Sequence, residues 1–224
     1  MSTYKALRKN PSAPQVDETV IAALRELPLA ALSDNMHRNI GTVGLQPWQR
    51  PGEKTMSGTA VTARSRGGDN LTYLRALEFC RPGDVLVIDA GGDLANAVVG
   101  GILTFYADRI GLAGVVIDGA IRDVAEIRSR DFPVYARGVT HRGPYKDGPG
   151  EINVPISVGG MVVNPGDIVV GDQDGLLAIA PQDAPELIVK ARGVLEAEAK
   201  TMQAMREGRW DRSFIDALEA RCNN

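Results

Sequence analysis

Two cysteines and two histidines in 224 residues leave this chain little soft-metal or thiol chemistry. Cys80 and Cys222 match no metal or redox spacing, and His37 and His141 stand too far apart to suggest a histidine metal site. No apolar run approaches the length of a bilayer span; "LAGVVI" is typical. Positive charge is not in excess, with Lys+Arg at 25 against Asp+Glu at 28, so the basic stripe of a nucleic-acid binder is missing. The opening "MSTYKALRKNPSAPQ" has no apolar h-region, and the expectation is a reduced cytoplasmic protein without secretory signal or membrane partner. What is there, 44% hydrophobic and 24% charged residues, is the composition of a chain with a core.

The patterning predicts mixed α/β structure. "DETVIAALRELPLAALSDNM" places Ile21, Leu24 and Leu27 on one helical face, and Pro28 should divide it into two short helices. They belong to an N-terminal helical arm over about residues 1–40, with Ser33 and Asp34 read as a cap on the second helix. Residues 41–58 should wrap the surface, "GTAVTARS" alternates as a strand, and "NLTYLRALEFC" is a helix with Asn70 as N-cap. "RPGDVLVIDA" and "LAGVVIDGA" read as buried strands. "GGMVVNPGDIVVGDQDGLLAIAP" reads as antiparallel strands with turn chemistry at Pro-Gly. The tail from 183 to 222 should be one or two helices broken near Gly208. "RPGDVLVID" and "NPGDIVVGD" echo each other, but two copies are not a repeat array. No linker separates parts of the chain, so one layered domain over 1–224 is expected.

Two features point to chemistry. A helix must begin before "ILTFYADRIG", and Gly100 and Gly101 inside it would each cost ~1 kcal/mol against alanine. A start near Gly101 avoids this cost. It also leaves the amides of Gly101, Ile102 and Leu103 without intrahelical partners, ready for a carboxylate or phosphate. The alternative is that the glycines only permit close helix packing. The second feature is "LAGVVIDGAIRD", which sets Arg122 and Asp123 just past the C-terminal end of a strand, where α/β sheets bind ligands. Arg122 can fork onto a carboxylate and Asp123 can offer a hard oxygen to Mg²⁺. The alternative is a surface ion pair or a helix cap for "VAEIRSRD".

"GGIL", then eighteen residues, then "RD", with "LSDNM", "FPVYARGVT" and "GEINVPISVGGMVVNPGDIVVGDQDG", resembles the RraA-like superfamily over roughly residues 28 to 200. The resemblance implies a swivelling β/β/α fold with N- and C-terminal helices, assembled as trimers or hexamers with sites near subunit interfaces. It implies a Mg²⁺- or Mn²⁺-dependent lyase that forms pyruvate, by aldol cleavage of 4-hydroxy-4-methyl-2-oxoglutarate or by oxaloacetate decarboxylation. Carried over by position, Gly100, Gly101, Ile102 and Leu103 match the loop whose amides hold the pyruvate carboxylate. Arg122 matches the substrate-binding arginine, and Asp123 matches the direct metal ligand.

The chain departs from the family pattern at one place. The second slot of "G-[DE]-L-L" is an acid that orients water, and here it is Gly101, which cannot hold water or relay a proton. Asp89 and Asp93 upstream are candidates to replace it, and Glu196 or Glu198 can reach a neighbouring subunit. The loop from His141 to Glu151, with Tyr145 and Lys146, reads either as a substrate lid or as a plain surface loop. Trp48 and Trp210 read as packing or interface residues. The rival reading is a non-catalytic RraA-type protein that binds ribonuclease or helicase partners. Asp123 argues against it, because those regulators lack the metal ligand.

Overall fold

The computed structural model describes residues 7–38, 40–52 and 55–222. The first half of the chain runs β1 (Leu7–Lys9), α1 (Glu18–Arg25), α2 (Leu29–Asp34), β2 (Gln46–Pro47), β3 (Met56–Ser65), α3 (Leu71–Ala76), β4 (Asp84–Asp89), β5 (Ala97–Val99) and α4 (Gly101–Arg109). The second half runs β6 (Gly114–Ile121), α5 (Val124–Arg128), β7 (Val134–Val139), β8 (Gly150–Ile152), β9 (Ile156–Val158), β10 (Met161–Val163), β11 (Ile168–Gly171), β12 (Leu176–Ile179), α6 (Ala184–Arg206) and α7 (Phe214–Cys222). The main sheet has the order β1-β8-β3-β4-β6-β7-β2, and its centre, β3-β4-β6-β7, is parallel.

Both faces of the central strands are covered, which is why β4 and β6 read as unbroken apolar runs. Leu86, Ile88, Val115 and Ile117 face one core, shared with Tyr73 of α3 and Ile127 of α5. Val85, Val87 and Val116 face a second core closed by the β9–β10 hairpin. A third core lies between β11–β12 and the helices α1, α2 and α6, through Leu24, Leu32, Leu177 and Leu187. Two sheets and a helical layer follow from these three cores, in agreement with the β/β/α expectation.

The helical arm breaks at Pro28, and the tail is two helices with Gly208 between them in the left-handed region at φ 67°. Several local readings need correction. The strand "GTAVTARS" begins at Met56 and is buried on both faces except at Arg64, so the surface segment before it is shorter than 41–58. Asn70 makes no side-chain cap; Asp69 does the work, its Oδ1 accepting from Leu71 N–H at 2.9 Å. Ser33 and Asp34 end α2, and its first amide, at Leu29, donates to Asp172 Oδ2. The Pro165-Gly166 turn forms but does not join paired strands: β10 pairs with β9, and β11 pairs with β12 and β3.

The two Pro-Gly-Asp echoes do fold alike. Gly83 and Gly166 take φ 86° and 91°, and Asp84 and Asp167 each accept from the amide three residues back, at 2.8 and 2.7 Å. A tertiary turn with glycine at its third position explains the shared spelling.

Candidate active site

β5 lies parallel against β6, and Arg122 N–H donates to Val99 O at 3.0 Å. This pairing brings the end of β5 beside the end of β6, so Gly100 meets Arg122 and Asp123 across the sheet edge. A Cβ at Gly100 would run into the Asp123 carboxylate and Arg122 Cγ, so the close approach requires glycine. Helix α4 then starts at Gly101, with Gly100 as its N-cap. The anion at this helix end is the chain's own: Gly101 N–H donates to Asp123 Oδ2 at 3.0 Å.

Asp123 is held in the left-handed region, φ 60° and ψ 40°, sparsely populated by non-glycine residues. It precedes α5 without capping it, because its carboxylate turns to α4 instead. Arg122 Nε lies 3.7 Å from the same oxygen, while Asp123 Oδ1 has no hydrogen-bond partner among the described residues. A non-glycine residue in this conformation, with one carboxylate oxygen clamped and the other free, is a sign of a site rather than of packing.

A cavity of about 400 Å³ opens here, and Gly100, Ile102, Leu103, Arg122 and Asp123 all line it. Gly101 does not; its contribution is the amide on Asp123. Three further lining residues escaped the sequence reading as a set. Lys146 and Gly143 come from the loop 141–151, while His141 itself lies outside the lining. Asn70 also lines the cavity, and its Oδ1 is buried without a partner, as a ligand or water donor would require. The loop is anchored rather than loose: Asp69 Oδ2 accepts from Asp147 and Gly148 N–H at 2.7 and 2.9 Å, and Tyr145 N–H donates to Gly68 O. The signal in the sequence was the polar, Gly- and Pro-rich loop itself; its partner, the buried Asp69, was not legible.

The carboxylates offered as substitutes at Gly101 are elsewhere. Asp89 faces Arg64 and its own turn, Asp93 accepts from Ala95 N–H, and neither lines the cavity. Glu196 and Glu198 sit on the exposed part of α6. Glu126, three residues beyond Asp123, is the carboxylate that meets Gly101: a Cβ there would fall on it. Arg130, mostly buried, ties it down, with Nη2 at 3.3 Å from Glu126 Oε1, 3.1 Å from Gly101 O and 3.2 Å from Thr104 Oγ1.

Among the described residues no three His, Cys, Asp or Glu side chains gather as a metal-binding group. An ion at Asp123 would therefore take this one hard oxygen from the chain and keep mostly water, a donor set that Mg²⁺ or Mn²⁺ tolerates. The free Oδ1 and the polar lining fit such an ion.

Comparison with known proteins bears on the same residues. A family model described as RraA-like, Aldolase/RraA, matches residues 29–178, which span both glycines, Arg122 and Asp123. A Halalkalibacterium halodurans protein named as a candidate 4-hydroxy-4-methyl-2-oxoglutarate aldolase is 38% identical over 180 residues, 80% of this chain and 84% of its own. Streptomyces coelicolor RraAS2, titled an unusual member of the RNase ES inhibitor RraA family, superposes with TM-score 0.76 at 27% identity, over 85% of this chain and 98% of that one. An RNA-processing inhibitor RraA from Thermus gives TM-score 0.63 at 33% identity, over 69% and 93%. The fold, the spacing of the glycine pair from Arg122–Asp123 and these likenesses agree, and the chain belongs to the RraA-like (Aldolase/RraA) family.

Proposed function

We propose that this protein is a divalent-metal-dependent carbon–carbon lyase that forms pyruvate from a small 2-oxo dicarboxylic acid. The observation that carries the reading is the convergence of Arg122, Asp123 and the first turn of α4 on one cavity that also holds Lys146. The name of the Halalkalibacterium relative supports the same reaction class. Arg122 binds the substrate carboxylate or the oxygen that gains charge, and the amides of Ile102 and Leu103 favour an anion beside them. Lys146 brings a second cation toward the second carboxylate. Mg²⁺ or Mn²⁺ at Asp123 would supply Lewis-acid stabilisation of the enolate that C–C cleavage leaves. Aldol cleavage of 4-hydroxy-4-methyl-2-oxoglutarate and decarboxylation of oxaloacetate share that enolate.

The reading includes assembly. Ile102, Phe105 and Tyr106 on α4 are exposed beside the cavity, an apolar surface suited to a neighbouring subunit in a trimer or hexamer. The rival reading, a regulator of RNA processing, draws on the names of the RraA structures. The free oxygen of Asp123 favours the lyase. Pyruvate release from each substrate, with EDTA and with Mg²⁺ or Mn²⁺ restored, decides between them: activity that vanishes in EDTA and returns with metal supports the lyase. No pyruvate from either substrate would discard it.

A further inference from the structure

Gly101 is helical, outside the left-handed region where glycine is required, so its backbone does not explain the residue. Its surroundings do: the space a side chain would take is filled by the Glu126 carboxylate. That carboxylate is held by one oxygen. Arg130 Nη2 fixes Oε1, and the same nitrogen grips the Gly101 carbonyl and Thr104, which ties the glutamate to α4. Oε2 has no hydrogen-bond partner among the described residues. Asp123 repeats the arrangement on the amide side of Gly101, with Oδ2 on its N–H and Oδ1 free. Two carboxylates thus flank one glycine at the positive end of a helix, each clamped by one oxygen and each presenting the other. Each also has an arginine beside it, Arg122 for Asp123 and Arg130 for Glu126.

We propose that Glu126 is a positioning carboxylate of this site, holding a water between its Oε2 and the Asp123 carboxylate. The proposal rests on the lyase reading above. Aldol cleavage needs an acceptor for the hydroxyl proton of the substrate, and Arg122 and Lys146 are cations that cannot serve. The oxygens of Asp123 are committed to Gly101 and to an ion. Glu126 supplies the remaining lone pair within one water of Asp123. The hydroxyl proton passes to that water as the water gives its own to Oε2. The C–C bond then breaks, the hydroxyl carbon becomes a carbonyl, and the bond pair forms the pyruvate enolate. The proton returns by the same route to the enolate carbon, giving the methyl group of pyruvate. Charge and atoms balance with no further reactant.

The test compares wild type, Glu126→Gln, Glu126→Ala and the double variant Gly101→Asp/Glu126→Ala. Two quantities are read: Mn²⁺ affinity of the substrate-free protein by calorimetry, and exchange of pyruvate methyl protons with D₂O by NMR. Glu126→Gln keeps the Arg130 contact through its amide oxygen, so the fold is preserved while the charge is lost. It should weaken Mn²⁺ about 10-fold and slow methyl exchange by roughly 10²-fold or more. The double variant returns a carboxylate to the vacated space from α4 and should recover both, an outcome that a purely structural role for Glu126 does not produce. Unchanged Mn²⁺ affinity and exchange in Glu126→Gln overturn the proposal while leaving the lyase reading intact. A wild type that binds no Mn²⁺ and releases no pyruvate removes the lyase reading and this proposal together.

Discussion

At the scale of single residues, the site is a set of close approaches. Gly100→Ala places a methyl group against the Asp123 carboxylate and Arg122 Cγ without backbone strain, since φ is −144°. It should lower pyruvate release on the order of 10²-fold through misplacement of reacting groups, with the melting temperature little changed; steady-state assays beside thermal unfolding check the pair. Arg122→Ala should damage cleavage and decarboxylation alike. Gly101→Asp alone sets two carboxylates in one space, so it should destabilise the protein and fail to speed aldol cleavage until Glu126 is removed. Faster cleavage by the single variant would mean that Glu126 is not where the reaction needs an acid. The thiols differ as well. Burial, reinforced by Asp84, pushes the Cys80 thiol up to about 12, whereas Cys222 is exposed. A raised folded-state value means that this group's contribution to stability is complete below the ordinary thiol range near 8.5 and is lost as pH climbs from there toward about 12. At pH 8, a thiol reagent should therefore label Cys222 rapidly and Cys80 only on unfolding.

At the scale of elements, the loop that delivers Lys146 depends on a buried residue outside the cavity. Asp69 is fully buried and accepts from three amides, those of Leu71, Asp147 and Gly148. Asp69→Ala strands those donors, at about 1–3 kcal/mol for a buried unpaired group. The expected result is a melting temperature several degrees lower and a KM that rises more than kcat falls, because the lysine loop is released while Arg122 and Asp123 stay in place. A kcat collapse at unchanged KM would place Asp69 in the chemistry instead. The elements that sequence patterning located well are those with a local cause: the break at Pro28, the start of α4 at Gly101, the stop at Gly208. Pairing was less legible. The turn at Pro165-Gly166 has a local spelling, but whether the strands on either side pair depends on β3 and β9, which lie far away in the chain.

At the scale of the molecule, large apolar side chains remain uncovered on α4 and along the C-terminal helices, where Trp210, Phe214, Ile215 and Leu218 are all exposed. Patches of this kind belong to association surfaces. Light scattering at micromolar concentration should report a trimer or hexamer, and a monomer would count against a shared site. The single carboxylate offered to a metal makes the same demand, since weak chelation by one chain is strengthened by a neighbour or by water alone. Titration with EDTA should therefore strip the metal readily, and excess Mg²⁺ should restore activity in full. Among the described residues no helix is long and apolar enough to cross a membrane.

The sequence alone determined the layered α/β architecture, the helix start at Gly101 and the placing of Arg122 and Asp123 past a strand end. Each of these follows from local rules: apolar period, glycine and proline conformation, and the unpaired amides of a first helical turn. Tertiary structure alone decided which carboxylate stands at Gly101, which loop closes the cavity and what anchors it. Asp89 and Asp93 are near in sequence, yet the strand and the turn that carry them point them toward Arg64 and Ala95. Glu126 is twenty-five positions from Gly101, and only the packing of α5 on α4 brings the two together. No local pattern encodes a contact whose two halves are joined through a sheet edge, and at this site that contact governs where a proton can go.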